Sequence, residues 1–504
     1  MSAGAVGFWH QESQHLPTLS QVHLCQHLFS SYDISFANAA GEISQVGLLS
    51  SSFPPTPLPL SPTTRPSPTM PDSLQVALHN DSDSDQLWAY ITGIAIQQGG
   101  QRCILKPDGH SLYFPQNPPA IGTPLAEDCA IPLGPQGNTV TVTIPQIAGG
   151  RIWIARGKKL TFLLNPGPAL VEPSVLNPSD PNADVDFGFA EFTLNDAQLY
   201  ANISYVDMAP ALPIAISLQQ ASGQRQDVAG MPPDGIEKLA ADLKQQEQQD
   251  GKPWSKLVVE REGKPLRVLN ATHGGAVGAD FSGYFEDYVE QVWQKYSSGA
   301  HCQIDTQAGP GVLKGHIASS GKFKVGDEEF DKPNTNDILG CNSGPFTTGP
   351  NPTRNAIIPR LAAAFHRTAL LKCEHHPSDP GTFYSHDPTN HYARLVHVHN
   401  VDRKGYAFAY DDVQPEGGED QSGKVNAGDP VLFTVSVGGK SAAGGGNVAL
   451  QQQGGGGYDR APPPPPPSGG EGGSGGYDRP PPPPPPGHGG LRDKVKGLAG
   501  RFMK

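Results

Sequence analysis

The sequence predicts an α+β fold: a β-sandwich or barrel, then a mixed α/β stretch, then a return of the chain to its first β region. Three observations predict it. Short runs rich in β-branched and aromatic residues, punctuated by Gly, Pro and Asn, fill residues 73–225. Helical periodicity of apolar residues begins only after residue 226. A final β run, "PVLFTVSV", stands at 430–437.

The β runs come first. "LQVALHN", "LWAYITGIAI", "TVTVTIP" and "RIWIARGKKLTFLLN" are strand-length, and their regular spacing suits a sandwich or barrel over 73–225. In 234–250, "DGIEKLAADLKQQEQQD", Ile236, Leu239, Ala240 and Leu243 recur at helical spacing and Gly251 supplies a stop. Phe281, Tyr284, Phe285, Tyr288, Val289, Val292 and Tyr296 form a wide apolar stripe ending at Gly299, which predicts a second helix. A third is expected at 359–371, "PRLAAAFHRTALL". Strand-like "KLVVERE", "LRVLNA" and "FKVGD" lie among these helices, so 226–394 reads as a mixed α/β domain. "YARLVHVHN", "GYAFAY" and "PVLFTVSV" look β-like, and 395–438 is expected to rejoin the first domain.

The flanks differ in composition. Residues 1–72 end in a Pro/Ser/Thr-rich stretch and read as a disordered leader, with Met70 an alternative start. Residues 439–504 collapse to Gly and Pro, with "GGYDRAPPPPPPSGG" recurring as "GGYDRPPPPPPPGHGG". Such a tail reads as a solvated spacer, or as a polyproline II ligand for SH3-, WW- or profilin-like readers. Its last residues place Leu491, Val495, Leu498 and Phe502 on one helical face amid basic residues, a weak signature of contact with an anionic membrane.

Charge and cysteine usage narrow the function classes. Of the 504 residues, 36 are Lys or Arg and 49 Asp or Glu, a net charge of -13, which opposes nucleic acid as a main partner. No apolar run approaches the roughly 20 residues of a spanning helix, so an integral membrane protein is not expected. Cys25, Cys103, Cys129, Cys302, Cys341 and Cys373 form no CxxC pair. Sequons at Asn80, Asn202 and Asn270 matter only in a secretory pathway, and "MSAGAVGFWHQESQHL" lacks the basic start and apolar core of a signal peptide.

The chemistry-bearing stretch is "FAEFTLNDAQLYANISYVDM", residues 189–208. Lone carboxylates among apolar residues cost desolvation unless hydrogen-bonded or used. Read with period two, Ala190, Phe192 and Leu194 face one way, and Phe189, Glu191, Thr193 and Asn195 the other. After a turn near "DAQL", alternation groups Ile203, Tyr205 and Asp207, and a hairpin would bring Glu191 and Asp207 to one face. Two carboxyl groups beside a groove can cleave a glycosidic bond, with inversion at about 6.5–9.5 Å separation and retention at about 5–5.5 Å. A pair of capping or surface carboxylates is the plainer reading of any such pattern.

"EFTLN" followed by "LYANISYVDMAPALPIAISL" resembles the signature segment of glycoside hydrolase family 64, the laminaripentaose-producing type of endo-1,3-β-glucanase. The resemblance continues in order through "NPTRNAIIPRLAAAFHRTALL", "NHYARLVHVHN" and "GYAFAYDDV", over about residues 73–440. It implies a thaumatin-like β-domain beside an α/β domain with a wide groove between them. It also implies inverting hydrolysis of 1,3-β-glucan without a cofactor, and an extracellular or cell-wall setting that the missing signal does not announce. Glu191 matches the general acid and Asp207 the general base. Thr193, Asn195 and Ser204 match groove-lining positions, and Tyr200 stands where the family usually has tryptophan. Asp411 and Asp412 are weaker candidates for contacts to glucan hydroxyls. His391 and Tyr392 either line the groove or satisfy internal hydrogen bonds. The histidines of "CEHHP" and "HDPTNHYARLVHVHN", read partly as strand alternation, fit no zinc spacing. Two rival readings remain, a glucan-binding protein with little turnover and an interaction protein acting through its tail.

Overall fold

The computed structural model describes residues 70–439, which lie within one compact unit. The leader up to residue 69, and from 440 onward the polyproline repeats and the basic end, fall outside the described residues. Strand β1 spans Ser73–Asn80 and β2 Leu87–Ala95. They are followed by β3 (Thr139–Pro145), β4 (Ile147–Arg156), β5 (Asp186–Leu194), β6 (Leu199–Ile203) and β7 (Ile214–Gln220). Then come α1 (Gly235–Asp250), β8 (Lys264–Leu269), α2 (Glu286–Ser297), α3 (Thr335–Gly340), α4 (Pro352–His366) and α5 (His391–His399). Two strands, β9 (Lys424–Ala427) and β10 (Pro430–Val437), finish the described chain.

The mixed fold is mostly strands. In one sheet β10 lies between β1, to which it is parallel, and β7, to which it is antiparallel, while β3 covers the other edge of β1. A parallel neighbour cannot be reached through a tight hairpin, and β10 takes its place beside β1 only after the rest of the described chain has been laid down. The second sheet runs β9-β6-β5-β4-β2 and continues through short strands at Gln101–Leu105 and Leu112–Tyr113. Apolar residues of both sheets join those of α1, α2, α4 and α5 in one continuous core. At the centre of the second sheet Phe192 lies opposite Gly150, where a Cβ would come within 2.4 Å of the ring.

Helix α1 forms as the apolar spacing requires, and Gly251 stops it in the left-handed region at φ 69°, its N–H donating to Glu247 O. Helix α2 is shorter than its stripe, because Phe281 and Tyr284 are buried in the turn before it. The third expected helix is shifted. Asn351 caps α4 through the N–H groups of Thr353 and Arg354, Pro352 takes the first turn, and Pro359, expected to open the helix, sits inside it.

Two β expectations fail. Residues 391–399 are a helix: Asn390 accepts from Ala393 N–H, and Tyr392, Ala393, Leu395 and Val396 are buried at helical spacing. The His-Val-His alternation that resembled a strand is the end of that helix. "GYAFAY" is irregular backbone whose sheet-like contact is a single bridge from Tyr406 to Ser204. It is pinned from below by Asp411, which accepts from Ala407 N–H and pairs with Arg367 at 3.0 Å and His397 at 3.0 Å.

All three sequon asparagines are buried. Asn80 donates to Ser84 O and Gly134 O, and Asn270 donates to Ala407 O. Asn202 lies inside strand β6. Cys103, Cys129, Cys302 and Cys373 are free thiols. Among the described residues no helix is long and apolar enough to cross a membrane.

Candidate active site

Strand β5 carries Glu191, and pairing decides its neighbours. Arg151 of β4 lies opposite it on one side and Asn202 of β6 on the other. Thr92 of β2 pairs with Arg151, and Lys424 of β9 pairs with Asn202. Cross-strand partners share a face. Thr92, Arg151, Glu191, Asn202 and Lys424 therefore form a polar row across five strands. Thr193 follows Glu191 on this face, next to an irregularity between Phe192 and Leu194, and its hydroxyl accepts from Gly149 N–H at 3.3 Å.

The expected grouping of Ile203, Tyr205 and Asp207 with Glu191 does not follow from the hairpin. Ile203 pairs with Ala190 and so faces the opposite side. Asp207 approaches the polar face because the chain leaves the ladder after Ile203. Tyr205 N–H donates to Tyr406 O, the Tyr392 hydroxyl donates to Tyr205 O at 2.7 Å, and Asn270 N–H donates to Asp207 O. The Asp207 carboxylate then meets His273 Nε2 at 3.2 Å.

Arg151 links the acidic groups. Its Nε donates to Glu191 Oε1 at 3.0 Å and its Nη1 to Glu172 Oε2 at 3.3 Å. The guanidinium also packs over Phe189 and Trp153, 4.8 and 5.3 Å from their ring centroids. Glu172 is held from behind by the Thr92 hydroxyl at 2.6 Å, and that hydroxyl accepts from Trp153 Nε1. Arg151 is thus fixed in position before any ligand arrives.

Environment drives the two carboxylates apart. Burial pushes the Glu191 carboxyl above the usual carboxylate range; Arg151 opposes this, Asp207 adds to it, and a hydrogen bond from Ser204 opposes it. Burial acts in the same sense on Asp207, but the His273 hydrogen bond and the Arg151 charge outweigh it and hold that carboxyl below its ordinary value. Glu191 is thereby suited to keep a proton and Asp207 to give one up. The Glu191 side chain retains 13% exposure, so it remains open to a ligand.

The remaining expected residues divide. Ser204 and Tyr200 stand on β6 or just after it, near Glu191, and the Lys424 ammonium lies 6.0 Å from the Tyr200 ring centroid. Asp412 is partly exposed and accepts from the Tyr406 hydroxyl at 3.0 Å. Asn195 instead closes the β5–β6 turn, accepting from Ala197 and Gln198 N–H. Asp411 is completely covered by Arg367 and His397 and offers no oxygen to a ligand. His391 and Tyr392 satisfy internal contacts, His391 against Trp254, Asp387 and Arg394, and Tyr392 beneath Tyr205. Among the described residues no group of three or more His, Cys, Asp or Glu is placed to hold a metal ion.

Sequence reasoning missed Arg151, Glu172, His273 and Asn202. For Arg151 a signal existed: a single charge within "RIWIA" must find a partner once that strand is buried. Nothing local marks the others: Asn202 is joined to Glu191 by strand pairing, His273 to Asp207 by a tertiary hydrogen bond, and Glu172 to Arg151.

A carboxyl raised by its surroundings and a neighbouring carboxylate held low, both beside Arg151, are the equipment of a glycoside hydrolase. The chain belongs to glycoside hydrolase family 64, whose model, described as beta-1,3-glucanase, matches residues 72–437. A glucan endo-1,3-beta-glucosidase of Arthrobacter sp. (strain YCWD3) is 30% identical over 359 residues, 69% of this chain and 63% of that protein. This chain therefore spans under two thirds of the length of that curated relative. The crystal structure of a laminaripentaose-producing beta-1,3-glucanase in complex with laminaritetraose is similar at 31% identity and a TM-score of 0.64, covering 73% of this chain and 99% of that one. A beta-1,3-glucanase domain from Clostridium beijerinckii shares the fold at 22% identity and a TM-score of 0.57, covering 74% of this chain and all of that domain.

Proposed function

We propose that this protein hydrolyses 1,3-β-glucan internally, with inversion at the anomeric carbon. The observation that carries this reading is the opposed environment of Glu191 and Asp207 beside Arg151, in a chain of family 64. Glu191 gives its proton to the glycosidic oxygen, and the C1–O bond breaks with its electron pair on that oxygen. A water molecule bonds to C1 from the opposite side and passes its proton to Asp207. Arg151 then faces the newly formed Glu191 carboxylate and stabilises it until solvent restores the proton.

Thr193, Ser204, Tyr200 and Asp412 are the sugar contacts in this reading, with the Tyr200 ring in place of the family's tryptophan. The β-rich parts, residues 73–225 and 395–438, form a thaumatin-like domain, and 226–394 form the other wall of a glucan-binding groove. The test is to incubate the full chain with laminarin or curdlan and follow the products by NMR. Laminari-oligosaccharides whose first-formed anomer is α support it. First-formed β products would exclude inversion. Binding without release, unaltered in Glu191→Gln, would make the protein a glucan-binding member of the family.

A further inference from the structure

The Arg151 guanidinium is shared between two carboxylates, Glu191 at Nε and Glu172 at Nη1. Glu172 is anchored twice, by the Thr92 hydroxyl at 2.6 Å and by Arg151 Nη1 at 3.3 Å. Asp207 has His273 as its own partner. Glu191 has the Nε edge of Arg151 at 3.0 Å and a hydrogen bond from Ser204. Three carboxylates around one guanidinium leave an excess of negative charge in a largely covered site, and protonating one of them relieves it. Glu191, the least exposed of the three at 13% against 21% for Glu172 and 37% for Asp207, takes the proton.

We propose that Glu172 is a positioning residue for the reaction: it holds the far edge of the Arg151 guanidinium, so that Arg151 cannot neutralise Glu191 alone and Glu191 keeps its proton. Without Glu172 the whole guanidinium charge would fall on Glu191, leaving an anion that has no proton for the leaving oxygen. Glu172 need not touch substrate for this. Its role rests on the acid assignment made above.

The other charged and titratable groups around Glu191 do not duplicate the effect. Asp207, after β6, is turned toward His273. Lys424, from β9 beyond Asn202, pairs with Asp420 at 3.6 Å. Tyr200 and Asp412 lie together toward Tyr406. Glu172 is the carboxylate that shares hydrogen bonds from the same guanidinium as Glu191.

The test replaces Glu172→Gln in the full chain, which removes the charge and keeps an oxygen for Thr92. Two quantities are read: the alkaline limb of kcat/KM on laminarin, and the titration of the Glu191 carboxyl by carbon-13 NMR, assigned with Glu191→Gln. Both should move to lower pH by about one unit, the smaller end of what a neighbouring charge does to a carboxyl. Glu172→Ala should move them the same way, while Glu172→Asp, which restores the charge, should bring them back toward wild type. A folded Gln or Ala variant with both quantities unmoved, or with activity lowered equally at every pH, would overturn the proposal. If wild type releases no sugar, hydrolysis fails as the function, and the NMR titration alone decides whether Glu172 governs Glu191.

Discussion

His273 Nε2 stands 3.2 Å from Asp207 Oδ1, on a segment that enters after β8 and is capped by Asn270. This contact, with Arg151, lowers the Asp207 carboxyl against the effect of burial. In the proposed reaction Asp207 is the general base and must be ionised, so its depressed value would set the acidic limb of activity. His273→Ala should raise the Asp207 pKa and move that limb of kcat/KM to higher pH. An unmoved limb would mean that Arg151 alone sets the base.

Glu191→Gln and Asp207→Asn should each lower kcat by roughly 10²–10⁴-fold, the range for losing a general acid or base, with little change in melting temperature. The double variant should lose far less than the product of the two, because the pair acts on one transition state. Steady-state kinetics with circular dichroism separates this from unfolding.

The Arg367–Asp411 pair is covered, with side-chain exposures of 3% and 0%, and it fixes the loop bearing Tyr406 and Asp412. Removing one member of a buried pair leaves an uncompensated charge and costs about 3–5 kcal/mol. His397 still faces Asp411, so Arg367→Met should fall toward the lower end. Urea unfolding measures it, and a loss below about 1 kcal/mol would show the charge to be solvated.

The buried histidines give stability a pH dependence. Burial holds His366, His376 and His391 at about 4, below the 6.5 of an exposed imidazole. As pH falls, the unfolded chain takes up these protons first, so the stability contributed by these three is full above about pH 6.5 and is lost progressively toward about pH 4, while His397, raised by Asp411, acts in the opposite sense. The melting temperature should fall by several degrees across that window. A flat profile would show that these imidazoles remain hydrated.

No sequon should carry a glycan in the folded protein. Asn80 and Asn270 spend their amides on internal hydrogen bonds, and Asn202 lies within a paired strand next to Glu191. After expression in a glycosylating host, the mass of the folded protein should be unchanged by enzymatic deglycosylation. A glycan on any of these positions in active material would contradict this packing.

Part of this was readable along the chain because it depends on local periodicity. Alternation in "FGFAEFTLN" placed Glu191 and Thr193 on one face, and the apolar stripe of 234–250 placed α1, since both patterns span only a few residues. It failed at 391–399, where His-Val-His imitates a strand and only the Asn390 cap and the buried neighbours select a helix. Nor could alternation show the internal partners of Asn195 and Asp411. Their types suit a sugar contact, yet a turn engages the Asn195 side-chain oxygen and a buried ion pair covers Asp411.

By itself the sequence determined the β-rich start, the helices over apolar stripes, the return of 430–437 and the presence of two carboxylates 16 positions apart, because backbone preference and side-chain period are local. Which groups surround those carboxylates depends on long-range packing. Arg151, Glu172, His273 and Asn202 are remote from Glu191 or Asp207 in the chain, or sit across a strand pair whose register depends on the sheet as a whole. A carboxyl's proton affinity depends on charge and burial within a few ångströms, and that distance is measured through folded space.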